Sequence, residues 1–226
     1  LINLILLAVA PVFAILLYVY AQDKYEKEPK RLLIYSFLFG AIVSVTIVFI
    51  LYFFTGRLIP LTDRLSVWQQ FIQAFVVVAL AEEFSKYIIV KYYAQPKKAF
   101  NEPYDGIIYA VMVSMGFACT ENIMYVLESG YQTAILRAFT AVPAHATFGI
   151  LMGYFMGKAK FSNNRVLLNL AGLSLAILFH GTYDFFLFIH FIPGISIGAF
   201  ISLIIGIILS KKAIKAHQND SHFKTK

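Results

Sequence analysis

The chain has 226 residues, 60% of them hydrophobic and only 14% charged, with a mean hydropathy of +0.74. That is far more apolar surface than a soluble domain can cover, so a soluble protein is excluded and an integral membrane protein is expected. The net charge of +7 invites a nucleic-acid reading, but a positive-inside membrane protein carries the same excess, and no nucleic-acid partner is expected.

Seven apolar spans follow in order, at about 2 to 20, 32 to 54, 70 to 90, 107 to 127, 138 to 157, 167 to 188 and 195 to 212, with short connections between them. They predict an all-α, polytopic membrane helical bundle with about seven transmembrane helices, forming one domain over 1–212, with a basic cytoplasmic tail over 213–226. With the N-terminus outside, fifteen of the nineteen basic residues fall in cytoplasmic segments. Only Arg57, Arg64 and Arg137 fall in outer ones, and Lys86 lies within a span. The first span lacks a basic leader and a small-residue cleavage site, so it reads as a retained helix. The lone Cys119 permits no intrachain disulfide.

In span one, Pro11 is tolerable because neighbouring groups can satisfy the freed carbonyl. The polar loop DKYEKEPKR follows, with Glu26 and Glu28 expected in water or paired with nearby lysines. Span two has no acid or base and reads as lipid contact or scaffold. Trp68 stands where an interfacial aromatic anchor belongs.

Span three, FIQAFVVVALAEEFSKYIIV, carries Glu82, Glu83 and Lys86 just past its middle. An ionised carboxylate near the bilayer centre costs on the order of 3 kcal/mol or more, so the default for such groups is function. The bland alternative is a salt bridge from Glu82 to Lys86, four residues on and in the favourable order. Glu83 lies about 100° round the helix, so one lysine does not easily serve both.

Asp105 opens span four and reads as a helix cap. Further along come Ser114, Glu121 and Asn122, and then a loop holding Glu128 and Arg137. In span five Ala141, His145, Gly149, Gly153 and Gly157 recur every four residues; small residues at that spacing let backbones approach, so the stripe faces another helix and points His145 into protein. Span six repeats the device with Gly172, Ala176, His180 and Asp184. His190 reads as interfacial, and the tail, with His217 and His222, as disordered.

Modest helix tilts bring these acids and imidazoles around one cavity in the central to outer half of the membrane, provided that spans three to six are neighbours. Such a cluster suits hydrolysis: a glutamate can take a proton from water, and imidazoles can stabilise the oxyanion. It equally suits a metal held by two histidines and an acid, with a glutamate as base. The HExxH spacing is absent, so any metal site is assembled across helices.

AEEFSK, DGIIYAVMVSMGFACTENI, HATFGILMGYFMGKAKF and FHGTYDF, in that order, closely resemble the PrsW family of bacterial membrane proteases, and the likeness extends back through APVFAILLYVY and the KEP turn. The resemblance implies a multi-pass bacterial cell-membrane peptidase that makes the first, site-one cut in a membrane-anchored anti-sigma factor, leading to sigma factor release. It implies a fold similar to the CAAX prenyl protease and bacteriocin-immunity superfamily, with Glu82 and Glu83 as the catalytic pair, Glu121 and His145 in the second and third motifs, and His180 and Asp184 in the fourth. Two positions depart from that superfamily: Glu121 stands where the CAAX branch has histidine, and Lys86 where it has arginine. A glutamate there suits a metal site, with Glu121, His145 and His180 as candidate ligands and a divalent ion such as zinc as cofactor. Members of the superfamily have been described both as metalloproteases and as glutamate-dependent proteases, so both chemistries stay open. The rival readings are a proton-coupled transporter and a non-enzymatic immunity or assembly protein.

Overall fold

In hydrocarbon a backbone must satisfy its own hydrogen bonds, and a helix does so within one segment. The structure is a computed structural model describing residues 1–225, and no strand occurs among them. Helix α1 is Ile2–Gln22, α2 is Lys30–Leu58, α3 covers 67–94, α4 is Pro103–Phe139, α5 is Ala141–Lys160, α6 is Arg165–Phe188 and α7 is Ile197–Asp220. Five segments are long and apolar enough to cross a membrane: α1, α2, the continuous stretch Pro103–Lys160, α6 and α7. That stretch holds two long helices, α4 and α5, which separate at Thr140 and whose main bodies pack antiparallel. With α3, the architecture is the expected all-α polytopic bundle.

The centre of the bundle is the seam between α4 and α5. A Cβ at Gly106 would fall onto the backbone of Gly153 and Gly157, and one at Gly153 onto Gly106, so only glycine permits this approach. The small-residue stripe of α5 therefore faces α4, as its spacing predicts. Around this pair pack α3, α6 and α7 on one side and α1 on the other. Helix α1 fully buries only Ala8, Val12 and Val19, and α2 beyond Ser44 only Val48; many of their other apolar side chains are exposed.

Two of the long helices contain wide turns in which hydrogen bonds skip to the fifth residue, at Gly40–Ser44 in α2 and at Gln73–Ala79 and Val90–Ala94 in α3. The ring of Phe75, in the second of these, fills the notch left by Gly181 on α6, beside His180. This contact sets α3 against α6 where the chemistry-bearing residues lie.

Four local expectations need correction. The loop expected around Glu128 and Arg137 is helical except at Gly130, whose φ of +78° lies in the left-handed region that favours glycine; there the chain reverses and 131–139 packs back, with Ala134 against Val126 and Ala8. Glu28 is buried, not solvated, because the α1–α2 connection tucks under α4 and Tyr109 donates its hydroxyl hydrogen bond to it. Asp105 sits at the third helical position of a capping box whose N-cap is Glu102. The tail is ordered as far as described: α7 runs to Asp220, His217 is buried against Tyr154, and Ser221 donates to Glu102. Lys226 lies outside the described residues.

The segments rich in lysine meet at one end of the bundle. Gln218 donates to Gln22 O at 2.6 Å, Lys160 to Gln95 O at 2.5 Å, and Gln95 to Asn169 Oδ1 at 3.0 Å. The tail, the end of α1, the α3–α4 connection and the α5–α6 connection thus share a face.

Candidate active site

Immediately after the wide turn 73–79, the run Leu80–Ile89 returns to regular helix, and this placement aims Glu82 and Glu83 differently. Glu82 lines a cavity of about 670 Å³, together with Tyr52 from α2, Glu121 and Arg137 from α4, His145 from α5, and His180 and Asp184 from α6. Glu83 is fully buried behind this wall.

Lys86 Nζ donates to Glu83 Oε1 at 2.7 Å and stands 3.6 Å from Glu82 Oε2. The expected Glu82–Lys86 pair is therefore the weaker of two contacts: the lysine stem folds back to the residue three before it. The ammonium also lies 3.3 Å from His145 Nδ1 and 4.3 Å from the centre of the Phe117 ring. His180 is held between two acids, with Nδ1 at 2.8 Å from Glu83 Oε1 and Nε2 at 3.2 Å from Asp184 Oδ2; Glu82 Oε2 is 4.0 Å from that Nε2. Its ring stacks on Phe148 at 4.8 Å and meets the His145 ring edge-on at 5.4 Å, which fixes its plane.

His145 Nε2 lies 2.9 Å from Glu121 Oε2, and Ser114 Oγ donates to the His145 carbonyl at 2.7 Å. The same Glu121 oxygen accepts from Arg137 Nη2 at 2.6 Å, while Arg137 Nε donates to Asn122 Oδ1 at 2.7 Å. Asn122 Nδ2 in turn donates to Ala8 O at 2.7 Å, tying the site to α1. On the opposite wall Tyr52 donates to Glu82 Oε1 at 3.0 Å. Four carboxylates thus face Lys86, Arg137 and two imidazoles, which is how buried charge is tolerated in a low dielectric.

All six residues singled out from the sequence, Glu82, Glu83, Glu121, His145, His180 and Asp184, converge here. Two side chains of the site do not announce themselves in sequence. Arg137 falls in a segment that reads as an outer loop, and only its being the sole basic residue between spans four and five sets it apart. Tyr52 looks like any aromatic on a lipid-facing span.

One ligand atom each from Glu82, Glu83, His145 and His180 lie within 4.8 Å of one another, and Oε2 of both glutamates is buried without a hydrogen-bond partner. This nitrogen and oxygen donor set fits a first-row divalent ion in type and spacing. Glu121, expected among the candidate ligands, is outside that group; its Oε2 accepts from Arg137 and lies 2.9 Å from His145 Nε2. Glu83 and His145, which would help to hold such an ion, also contact the Lys86 ammonium.

Residues 28–210 match the family model described as PrsW family intramembrane metalloprotease. The chain is 40% identical to Protease PrsW of Geobacillus kaustophilus over 186 residues, covering 82% of this chain and 80% of that protein. It is 36% identical to Protease PrsW of Bacillus subtilis over 182 residues, 79% and 80% of the two chains. Protease PrsW of Clostridioides difficile is 36% identical over 201 residues, 84% and 81% of the two chains. No solved structure matches.

Proposed function

The chain belongs to the PrsW family of intramembrane proteases, and on that premise we propose that its protein substrate is a membrane-anchored anti-sigma factor. It makes the first, site-one cut on the extracytoplasmic side, leading to release of the sigma factor. The N-terminus is outside and the C-terminus cytoplasmic, a reading supported by the gathering of the lysine-rich segments at one end of the bundle.

Glu82 is the general base. Its Oε2 takes a proton from water as the water oxygen attacks the scissile carbonyl, and returns it to the amide nitrogen as the carbon–nitrogen bond breaks. His180 keeps its Nδ1 on Glu83 and turns the Nε2–H that rests on Asp184 Oδ2 toward the oxygen on which negative charge develops. His145, held by Glu121, completes the wall, and Lys86 compensates the carboxylates from behind. Glu82, Glu83, His145 and His180 are the residues that would hold a divalent ion such as zinc, which supplies Lewis-acid chemistry when bound.

The observation that carries the reading is the free, buried Oε2 of Glu82, 4.0 Å from His180 Nε2 and on the wall of a cavity large enough for an extended peptide segment. The test is cleavage of a co-reconstituted anti-sigma factor by purified protein in liposomes. Glu82→Gln and His180→Ala are expected to abolish it with the protein still folded; unchanged cleavage in either removes that residue from the mechanism. Elemental analysis of the active protein, with chelator titration, decides whether an ion takes part.

A further inference from the structure

Beyond its wide turn at Gly40–Ser44, α2 is lightly attached. Up to that turn it is pinned, with Ser44 Oγ 2.5 Å from Ser85 Oγ and Thr120 donating to Ala41 O at 3.0 Å. In Val45–Leu58, by contrast, only Val48 is buried, and the side-chain hydrogen bonds of Thr46 and Thr55 stay within the helix. Arg57 stacks on Phe53 of the same helix. Among the described residues, the single hydrogen bond from this half-helix to another is Tyr52 to Glu82 Oε1. Yet the half-helix forms the lipid-side wall of the cavity through Val45, Val48, Phe49 and Tyr52.

A glutamate carboxylate turns readily about its last side-chain bond, because that torsion is broad and roughly two-fold. Two groups compete to fix it: the Tyr52 hydroxyl at 3.0 Å from Oε1 and the Lys86 ammonium at 3.6 Å from Oε2. If the phenol lets go, the carboxylate is free to swing fully onto Lys86, which would draw Oε2 out of the cavity and tie up the lone pair that water needs. A phenol has one proton to donate, and here it goes to the oxygen not used for the chemistry.

We propose that Tyr52 is a positioning residue: it holds Glu82 toward the cavity against the pull of Lys86, and so makes the alignment of the base depend on the lipid-side wall being seated. The inference rests on Glu82 being the base. It also assigns a task to α2, whose outer half otherwise only faces lipid. A substrate segment arriving from the bilayer through that wall meets the residue that aligns the base.

The test uses the full chain in liposomes, with kcat and KM measured on the anti-sigma factor and on a panel of single-span peptides, so that a wrong substrate class leaves this experiment intact. Loss of cleavage in Glu82→Gln establishes the base first. Tyr52→Phe keeps the ring and removes the hydroxyl; kcat is expected to fall about tenfold or more, the scale of a misaligned catalytic group, with KM unchanged. Placing p-aminophenylalanine at position 52 restores a donor and is expected to recover most of kcat even if the Phe variant is less stable. Thr55→Val, which removes a hydroxyl bonded only within α2, is expected to leave both constants unchanged. Wild-type kcat in Tyr52→Phe, a change in KM alone, or failure of the restored donor to recover kcat overturns the proposal.

Discussion

Two groups of four acids lie inside this protein, and they are held in opposite ways. In the middle of the membrane Glu82, Glu83, Glu121 and Asp184 face Lys86, Arg137 and two histidines around a cavity. At the lysine-rich end Asp23, Glu28, Glu102 and Asp105 are each 4% exposed or less. Three of them are hydrogen-bonded by neutral groups: Tyr109 donates to Glu28, Ser221 to Glu102, and the amides of Asn101 and Glu102 to Asp105 at 2.6 and 2.8 Å, while Asp23 has the Lys27 cation nearby. Burial alone therefore does not mark an acid as reactive. On the proposed mechanism, fixed opposite charge and an oxygen open to a cavity mark it, and none of the four acids at the far end lines that cavity.

The sharpest way to break the comparison is to neutralise one acid in each group at constant shape. Glu82→Gln is expected to lower the cleavage rate by about 10³-fold or more, near the upper range for loss of a general base. Glu28→Gln, equally buried, is expected to leave it unchanged. Equal losses in a proteoliposome assay would dissolve the distinction.

Next in size is Arg137→Ala. It leaves Glu121 without its guanidinium in a partly buried site, at a cost of about 1 to 3 kcal/mol, below the range for a fully dry pair because both side chains keep some exposure. Arg137→Lys should not rescue it, since only the planar fork reaches Glu121 and Asn122 together. Melting temperature and cleavage are expected to fall together in both variants.

Of the site, the acids and imidazoles were legible because charge in an apolar run has no neutral explanation. Arg137 was not: Glu121 lies sixteen residues before it, and only the reversal at Gly130 brings them together. Tyr52 was hidden for a different reason, because the partner that gives it a role comes from another helix thirty residues on. At the far end the charges of DKYEKEPKR read as solvated, and nothing local says that Tyr109 comes down over Glu28. The bundle was easier to read than the site, since span length and the small-residue stripe on α5 are properties of single segments, whereas hydrogen bonds between helices are not.

The acids of the far end predict a pH effect of stability rather than rate. Burial pushes Asp23 up to about 7 against the opposing pull of Lys27, and burial with the neighbouring Asp105 pushes Glu28 up to about 10. A carboxyl raised in the folded state contributes stability that is full below its ordinary range and is lost as pH rises through the folded value. The melting temperature in detergent is therefore expected to decline from about pH 4 to about pH 10, and Glu28→Gln to flatten the upper part of that decline. A rising or flat profile in the wild type would contradict the assignment. The smallest effect is that of Ser221→Ala, about 1 kcal/mol for one hydrogen bond, with cleavage unchanged.

The contact of Gly106 with Gly153 and Gly157 has a consequence for the host bilayer. Two helices that touch backbone to backbone tilt as one body, so a thicker or thinner lipid leaflet rotates Glu121 and His145 together and leaves the 2.9 Å between them alone. The loosely attached lipid-facing helices take up the mismatch instead. On the proposed mechanism, cleavage is expected to be insensitive to acyl-chain length at the α4–α5 seam and sensitive to it at α2.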